Sequence, residues 1–400
     1  MSTGPTGGLD ADAKLPLLIR VSGRDRPRLT RDLLGLVAEA GAQLEDMEQL
    51  VVRERLTLDM LVRLDGASDA LVRDILFWGF RNDMTIDFER VEARSQRAAL
   101  RRHAVTVLGQ PLTPAALAAV SEAVADTGGN IDRIVRLATT PVTAYDLVVI
   151  VADPDAMRTA LMGVAQEHGI DVAVQVNGLE RRAKRLVVMD VDSTLIADEV
   201  IELLADEAGC RAEVEAVTTA AMAGELDFET SLRERVRRLA GLEVAALDRA
   251  AARIRLTPGA RTFVSTLQRM GFAVAVVSGG FTVFTDRLKA ELGLDHAYAN
   301  TLEIVDGRLT GEVLGSVVDR ARKAELLIQI AATEGILPSQ TVAIGDGAND
   351  LDMLAASGLG IAFNAKPAVR ARAHTTVSVP HLDVILFMLG VRGAEVDQVD

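Results

Sequence analysis

The chain is poor in several things, and each shortage excludes something. It has one cysteine in 400 residues, Cys210, which rules out an intramolecular disulfide and a cysteine-cluster metal site. A reducing, cytoplasmic setting suits that count. Aromatic residues make up 3% of the chain, too few for the stacking platforms of a single-stranded nucleic-acid binder. No apolar run approaches the roughly 18 residues of a membrane span. The opening residues, MSTGPTGGLDADAK, lack a basic start followed by an apolar stretch, so no secretory leader is expected. Positive charge is in deficit too: 43 Lys and Arg against 57 Asp and Glu give a net charge of −14. That balance argues against nucleic acid or an anionic membrane as the main partner. A small anionic substrate stays open, because it needs only a local cationic pocket. The five histidines (His103, His168, His296, His374 and His381) are scattered outside any motif.

What is present is an ordinary globular composition, 49% apolar, over a length that allows two or three domains. Residues 1–14 are rich in Gly, Asp and Ala and are expected to fray. LPLLIRVSG then reads as a buried strand ending at Gly23, and LTRDLLGLVAEAG as a helix stopped by Gly41. Residues 44–64 read as two strands. The plan recurs: HAVTVLG is a strand ending at Gly109, and a helix follows Pro111 and stops at Gly128. NIDRIVRLATTPVTAYDLVVIVA is again strand, turn, strand. The matching intervals between these glycine pairs point to tandem ferredoxin-like βαββαβ units at 15–98 and 99–178. Polar, basic residues 179–185 read as a linker. From 186 to 400 short apolar strands (RLVVMDVD, FAVAVVSGG, TVAIGDG, GLGIAF) alternate with helical segments, the pattern of a parallel α/β sheet covered on both faces. Cys210 is expected to pack as a small apolar residue, and Trp78, in LFWGF, to lie in a core or interface.

Ligands of open α/β sheets bind at the carboxyl ends of strands, and three clusters sit there. VVMDVDSTL places Asp190 and Asp192 one residue apart just after a strand. Two neighbouring carboxylates repel, so a metal ion or a proton must compensate them; a capped Asx turn is the other reading. VVSGGF carries Ser278, Gly279 and Gly280 at the start of a helix, where free N–H groups suit phosphate, or simply an ordinary turn. AIGDGANDLDML sets Asp346 and Asp350 about a glycine turn. Hard oxygen ligands without histidine suit Mg²⁺ rather than zinc. Lys323, between the second and third clusters, is a candidate phosphoryl cation, although a lone helical lysine is ordinarily solvated. The joint order is more specific than any member.

At these residues the sequence resembles the haloacid dehalogenase superfamily and, within it, the phosphoserine phosphatase family. DVDSTLIADEVIELLADEAG, MAGELDFETSLRERVRRLAG, VVSGGF and GDGANDLDML carry the likeness, which covers 186–390. The resemblance implies a Rossmann-like core (186–199 and 266–400) with a small helical cap (200–265). It implies an aspartyl-phosphate route, with Asp190 as nucleophile and Asp192 as general acid and then base. Mg²⁺ would be held by Asp190, Asp346 and the main-chain carbonyl of Asp192, with Asp350 direct or through water. Ser278, Gly279 and Lys323 would share the phosphoryl charge, with Asn349 nearby. Glu199 would pair with the substrate ammonium and Arg235 with its carboxylate, while Phe228 and Met222 exclude water. The implied reaction is hydrolysis of O-phospho-L-serine, the last step of serine biosynthesis.

The tandem repeats resemble ACT domains, which implies an amino-acid effector, most simply L-serine, and a homodimer. Gly23, Asp25, Gly109, Asn130 and Asp132 are the candidate effector residues. A phosphatase or phosphotransferase for another phosphorylated amino acid is the rival enzyme reading. A non-catalytic amino-acid sensor is the rival of another class.

Overall fold

The computed structural model describes residues 15–64, 68–91, 101–222, 226–370, 372–373 and 375–396. The expected frayed start, the first domain junction at 98–99 and the side chain of Met222 lie outside the described residues. The chain divides into two compact units, residues 1–99 and 100–400.

In the first unit, β1 (Leu17–Arg24), α1 (Leu29–Glu39), β2 (Gln43–Val52), β3 (Arg55–Arg63), α2 (Asp69–Asn82) and β4 (Thr85–Arg90) realise the βαββαβ plan. The sheet order is β2-β3-β1-β4. Alternation in β1 sends Leu17, Ile19 and Val21 inward against Leu33, Val37, Leu71 and Ile75 of the two helices. Gly41, at φ +64°, ends the α1 region in the left-handed conformation that glycine adopts freely. Trp78 is half-buried against this core, while Phe77 and Phe80 beside it are 61% and 86% exposed.

The second unit opens with the same plan: β5 (Arg102–Gly109), α3 (Pro114–Asp126), β6 (Asn130–Ala138), β7 (Thr143–Ile150), α4 (Pro154–His168) and β8 (Asp171–Val176), in sheet order β6-β7-β5-β8. Both helices start on a proline behind a capping side chain. Thr113 accepts from the Ala116 N–H, and Asp153 from those of Asp155 and Ala156. The expected linker is not a free tether. Residues Leu179–Arg182 form a short helix, α5, in which Arg181 is buried, and Lys184 just beyond it is buried too. Arg181 reaches back to Asp146 on β7 at 2.9 Å and to Thr106 on β5 at 3.1 Å. Gln175 on β8 donates to the Met388 carbonyl at 2.8 Å, and the Ser378 N–H donates to Asp171 at 2.8 Å. These remote partners fasten the second βαββαβ sheet to the C-terminal part of the chain.

The remainder is a seven-stranded sheet under a group of helices. β9 (Leu186–Met189) leads through a tight turn into α6 (Val200–Ala208), α7 (Arg211–Met222), α8 (Phe228–Arg237) and α9 (Val244–Ala252). The chain returns beside its own exit, at an antiparallel bridge between Ile196 and Leu256. Then come α10 (Ala260–Arg269), β10 (Ala273–Phe281), α11 (Thr282–Leu292), β11 (His296–Val305), β12 (Arg308–Leu314), α12 (Arg320–Thr333), β13 (Thr341–Gly345), α13 (Leu351–Ala356), β14 (Leu359–Phe363) and β15 (Thr375–Val377). The order is β12-β11-β10-β9-β13-β14-β15. One face packs Phe263, Leu267, Phe284 and Leu288 from α10 and α11; the other packs Leu326, Leu327, Ile330, Met353 and Leu354 from α12 and α13. Helix α10 packs on β10, so it serves the sheet although it begins within the expected cap span. The sheet is not wholly parallel. β12 turns back on β11 as a hairpin, because Asp306 and Gly307 both take positive φ, the tight turn that asparagine-like and glycine residues favour.

Candidate active site

The parallel strands deliver their carboxyl ends to one place. Asp190 follows β9, and its N–H donates to the Ile344 carbonyl of β13 at 2.9 Å. The residue is 4% exposed. Asp346 follows β13, and Asp350 sits one turn later, fully buried, at the start of α13. Ligand oxygens of Asp190, Asp346 and Asp350 lie within 4.8 Å of one another. The Lys323 ammonium, carried by α12, lies 2.7 Å from Asp190 and 2.7 Å from Asp350.

The turn after β9 sets the next groups. Ser193 holds φ +55°, unusual for a residue with a side chain. From there its hydroxyl donates to Glu199 at 2.8 Å. The Asp192 carboxylate turns away from the acidic cluster. It accepts from the Val200 N–H at 2.7 Å and from the Ser278 hydroxyl at 3.2 Å. Ser278 in turn accepts from the Gly280 N–H at 2.8 Å. Two glycines are required by contact: a Cβ on Gly279 would stand 2.9 Å from the Phe228 ring, and one on Gly345 would stand 2.4 Å from the Asp350 carboxyl carbon.

A cavity of about 590 Å³ opens over these groups. Asp190, Asp192, Glu199, Phe228, Arg235, Gly279, Asp346 and Asn349 all line it. Burial drives the Asp190 carboxyl well above its usual range, reinforced by Asp350 and opposed by Lys323. Asp192 is pushed up to about 7 by loss of hydration and then by Glu199, against the pull of the Val200 N–H and Ser278. Asp346 reaches about 7 through burial and the charge of Asp350. Lys323 is raised, because Asp190 and Asp350 outweigh its burial. Burial pulls the Arg235 guanidinium below its ordinary value, while Glu199 and Asp192 oppose that. Crowded carboxylates offering oxygen donors only are the donor set that suits a divalent hard cation.

The structure thus brings together Asp190, Asp192, Glu199, Phe228, Arg235, Ser278, Gly279, Lys323, Asp346, Asn349 and Asp350. Lys323 differs from its expected place in one respect: it does not line the cavity, and its ammonium is sunk behind the carboxylates it holds. Asp192 contributes no side-chain ligand to the acidic cluster, which leaves its main-chain carbonyl as the expected donor. The candidate effector residues have local packing reasons as well. A Cβ on Gly23 would meet the Met84 sulfur at 2.4 Å, and one on Gly109 would meet Leu112 at 3.0 Å. The Asp25 N–H donates to the Glu54 carbonyl at 2.7 Å, and Asp132 pairs with Arg102 at 3.2 Å. Asn130 is exposed at the start of β6. Gly23 and Asp25 belong to the first unit; Gly109, Asn130 and Asp132 belong to the second.

Residues 187–355 match the haloacid dehalogenase-like hydrolase family, and residues 16–89 and 101–175 each match an ACT domain. Phosphoserine phosphatase from Streptomyces coelicolor is 52% identical over 96% of this chain and 94% of that one. The chain belongs to the phosphoserine phosphatase family. The enzyme of that name from Mycobacterium tuberculosis is 47% identical over 97% of this chain and 96% of its own. A probable phosphoserine phosphatase from Vibrio cholerae, solved without ligand, superposes with a TM-score of 0.58 at 36% identity, over 75% of this chain and 89% of that one. The two ACT matches coincide with the two four-stranded sheets, and the hydrolase match runs from β9 through the helical cap into α13, short of β14 and β15.

Within this family frame, sequence reasoning missed four supporting groups. Ser193 lies inside the first motif but reads there only as a turn or cap residue. Thr194 reads the same way, yet it donates to Asp346 at 3.3 Å. Asn300, buried on β11, donates to the Gly279 carbonyl and accepts from the Val318 N–H, both at 2.8 Å. It ties the Ser278–Gly280 loop to the segment leading into α12, and a lone asparagine in a strand gives no signal of that. Lys366, after β14, lines the cavity with no motif around it.

Proposed function

We propose that the protein hydrolyses O-phospho-L-serine to L-serine and phosphate through an aspartyl phosphate on Asp190. One observation carries the reading. Asp190 and Asp346, which form a carboxylate triad with the buried Asp350, line the same cavity as Glu199 and Arg235, an acid and a base suited to the two charges of an amino acid. The curated relatives carry the name of that activity over nearly their whole length.

In the first step an Asp190 oxygen attacks phosphorus and the ester P–O bond breaks. The departing serine oxygen takes its proton from Asp192, whose position near 7 leaves a protonated fraction at neutral pH. In the second step Asp192 takes a proton from water, the water oxygen attacks phosphorus, and the Asp190–phosphorus bond breaks to release phosphate. Ser278 and the Gly279 N–H face the phosphoryl oxygens. Lys323 keeps Asp190 and Asp350 aligned and offsets their charge. Asp190, Asp346 and Asp350 with the Asp192 carbonyl would hold Mg²⁺, which when bound supplies positive charge against the anionic nucleophile and phosphate. Glu199, held by Ser193, takes the substrate ammonium; Arg235 takes the carboxylate; Phe228, over Gly279, excludes water.

Phosphate release from phosphoserine with and without Mg²⁺, with Asp190→Asn as control, tests this directly. Full activity in that variant would sink the covalent route. We further infer that L-serine, read by the ACT domains of a homodimer, tunes the enzyme. An amino acid that shifts neither rate nor light-scattering mass removes that part of the reading.

A further inference from the structure

We propose that the cavity between the second ACT domain and the amino ends of the catalytic strands binds a small oxyanion. The cavity measures about 290 Å³. A liquid water takes about 30 Å³, so there is room for a phosphate or a small carboxylate together with bridging waters. Three cations line it: Arg158 from α4, Arg181 from α5, and Lys184 just before β9. Among the described residues that line it, none is acidic. Two of the three are paired from outside the lining, Arg181 by Asp146 and Arg158 by Asp155.

The cations are held in place rather than waving in solvent. Arg181 is 9% exposed, and Asp146, which does not line the cavity, grips its guanidinium from behind at 2.9 Å on two nitrogens. The Nε of Arg181 is buried without a hydrogen-bond partner among the described residues. Lys184 is 4% exposed and donates to the Ser339 carbonyl. Arg158 pairs with Asp155 at 3.1 Å, and Asp155 is likewise outside the lining. Cations already held in place suit an oxyanion, because little side-chain freedom is lost on binding. The hydroxyls of Ser357 and Thr375 complete a polar wall.

Position separates this cavity from the catalytic one. Leu359 and Thr375 begin β14 and β15, and Lys184 precedes β9, so the cavity lies at the strand ends opposite Asp190 and Asp346. Its occupant is therefore not the reacting substrate. An anion there would touch α4 of the ACT domain and the β9 and β14 sides of the catalytic sheet at once. Binding would tighten that junction by simple linkage.

Equilibrium dialysis of the full chain against radiolabelled inorganic phosphate, and separately against radiolabelled succinate, tests the proposal. Ser278→Ala weakens the catalytic site and should leave the junction site intact. Arg158→Gln, which breaks no buried contact, should weaken junction binding roughly tenfold. Lys184→Gln is the second variant, checked for an unchanged circular dichroism spectrum. Phosphate loss in these variants supports a phosphate occupant; succinate loss alone supports a carboxylate. Binding of both anions with unchanged number and affinity in Arg158→Gln and Lys184→Gln overturns the proposal.

Discussion

At the carboxyl ends of its strands the catalytic sheet gathers Asp190, Asp346 and Asp350 within 4.8 Å, backed by one buried lysine. At the amino ends Arg158, Arg181 and Lys184 line a cavity without an acid among its described lining residues. The same sheet thus carries opposite charge at its two ends. Helix polarity favours this arrangement. In a parallel α/β fold the helices run against the strands, so their positive N-termini meet the carboxyl ends and their negative C-termini the amino ends. Helix α13 shows both: Asp350 stands at its start, in the acidic cluster, and Leu354 and Ala355 near its finish line the basic cavity. The first end is built for chemistry, with carboxyls forced away from their usual protonation. The second is built as a joint, with charges paired across domains.

The sharpest way to break that division is Asp190→Asn. It should lower kcat by about four orders of magnitude or more, since on the proposed route it removes the nucleophile. Anion binding at the amino-end cavity should not change. Phosphate-release kinetics and dialysis on the same sample check both halves.

Arg181→Met probes the other end. It leaves Asp146 without its buried partner, and breaking such a pair costs about 3 kcal/mol. Urea unfolding should show that loss, while kcat per folded molecule stays within about twofold. A large fall in kcat with unchanged stability would mean the amino end shares in the chemistry.

Arg235→Ala sharpens the carboxyl end itself. Loss of a charge-assisted pair with the substrate carboxylate should cut kcat/KM for phosphoserine by about a hundredfold. Activity on a generic aryl phosphate should fall by less than about threefold. Equal losses on both would show that Arg235 acts on the phosphoryl group or on the fold instead.

The two ends also differ in how far they can be read from sequence. Asp190, Asp192, Asp346 and Asp350 are legible because each follows a strand within a few residues, and the motif order places the strands side by side. Glu199 and Arg235 are legible only through the family resemblance, since isolated charges on helices look like solvated surface. The joint reads as a polar linker, and the structure adds a short helix and two buried cations to that segment. Arg181 and Lys184 look solvated in GLERRAKR, and the groups that bury them are remote: Asp146, Met388 and Ser339 lie 35, 207 and 155 residues away. The β11–β12 hairpin is marked by Asp306-Gly307, but the apolar strands and helices on either side read as a parallel sheet and mask that local antiparallel turn.

The smallest predicted effect tests whether the joint carries a titratable charge. Asp171 begins β8, is 2% exposed, and accepts from the Ser378 N–H just past β15. Burial holds its carboxyl above the usual range, against the pull of Ser378, Arg370 and Thr376. A raised folded-state value means the native protein keeps this proton over a pH range in which the unfolded chain has lost it. Stability from this group is therefore full below the unfolded value, about 3.9, and declines as pH rises through the folded one. Asp171→Asn keeps an acceptor for Ser378 and removes the titration. Its melting temperature should gain on the wild type as pH rises through the carboxylate range, then run parallel to it at neutral pH, a difference of a few degrees at most. If instead the wild type gains on the variant with rising pH, the ionised carboxylate stabilises the joint. The amino end would then be held by charge rather than by burial around it.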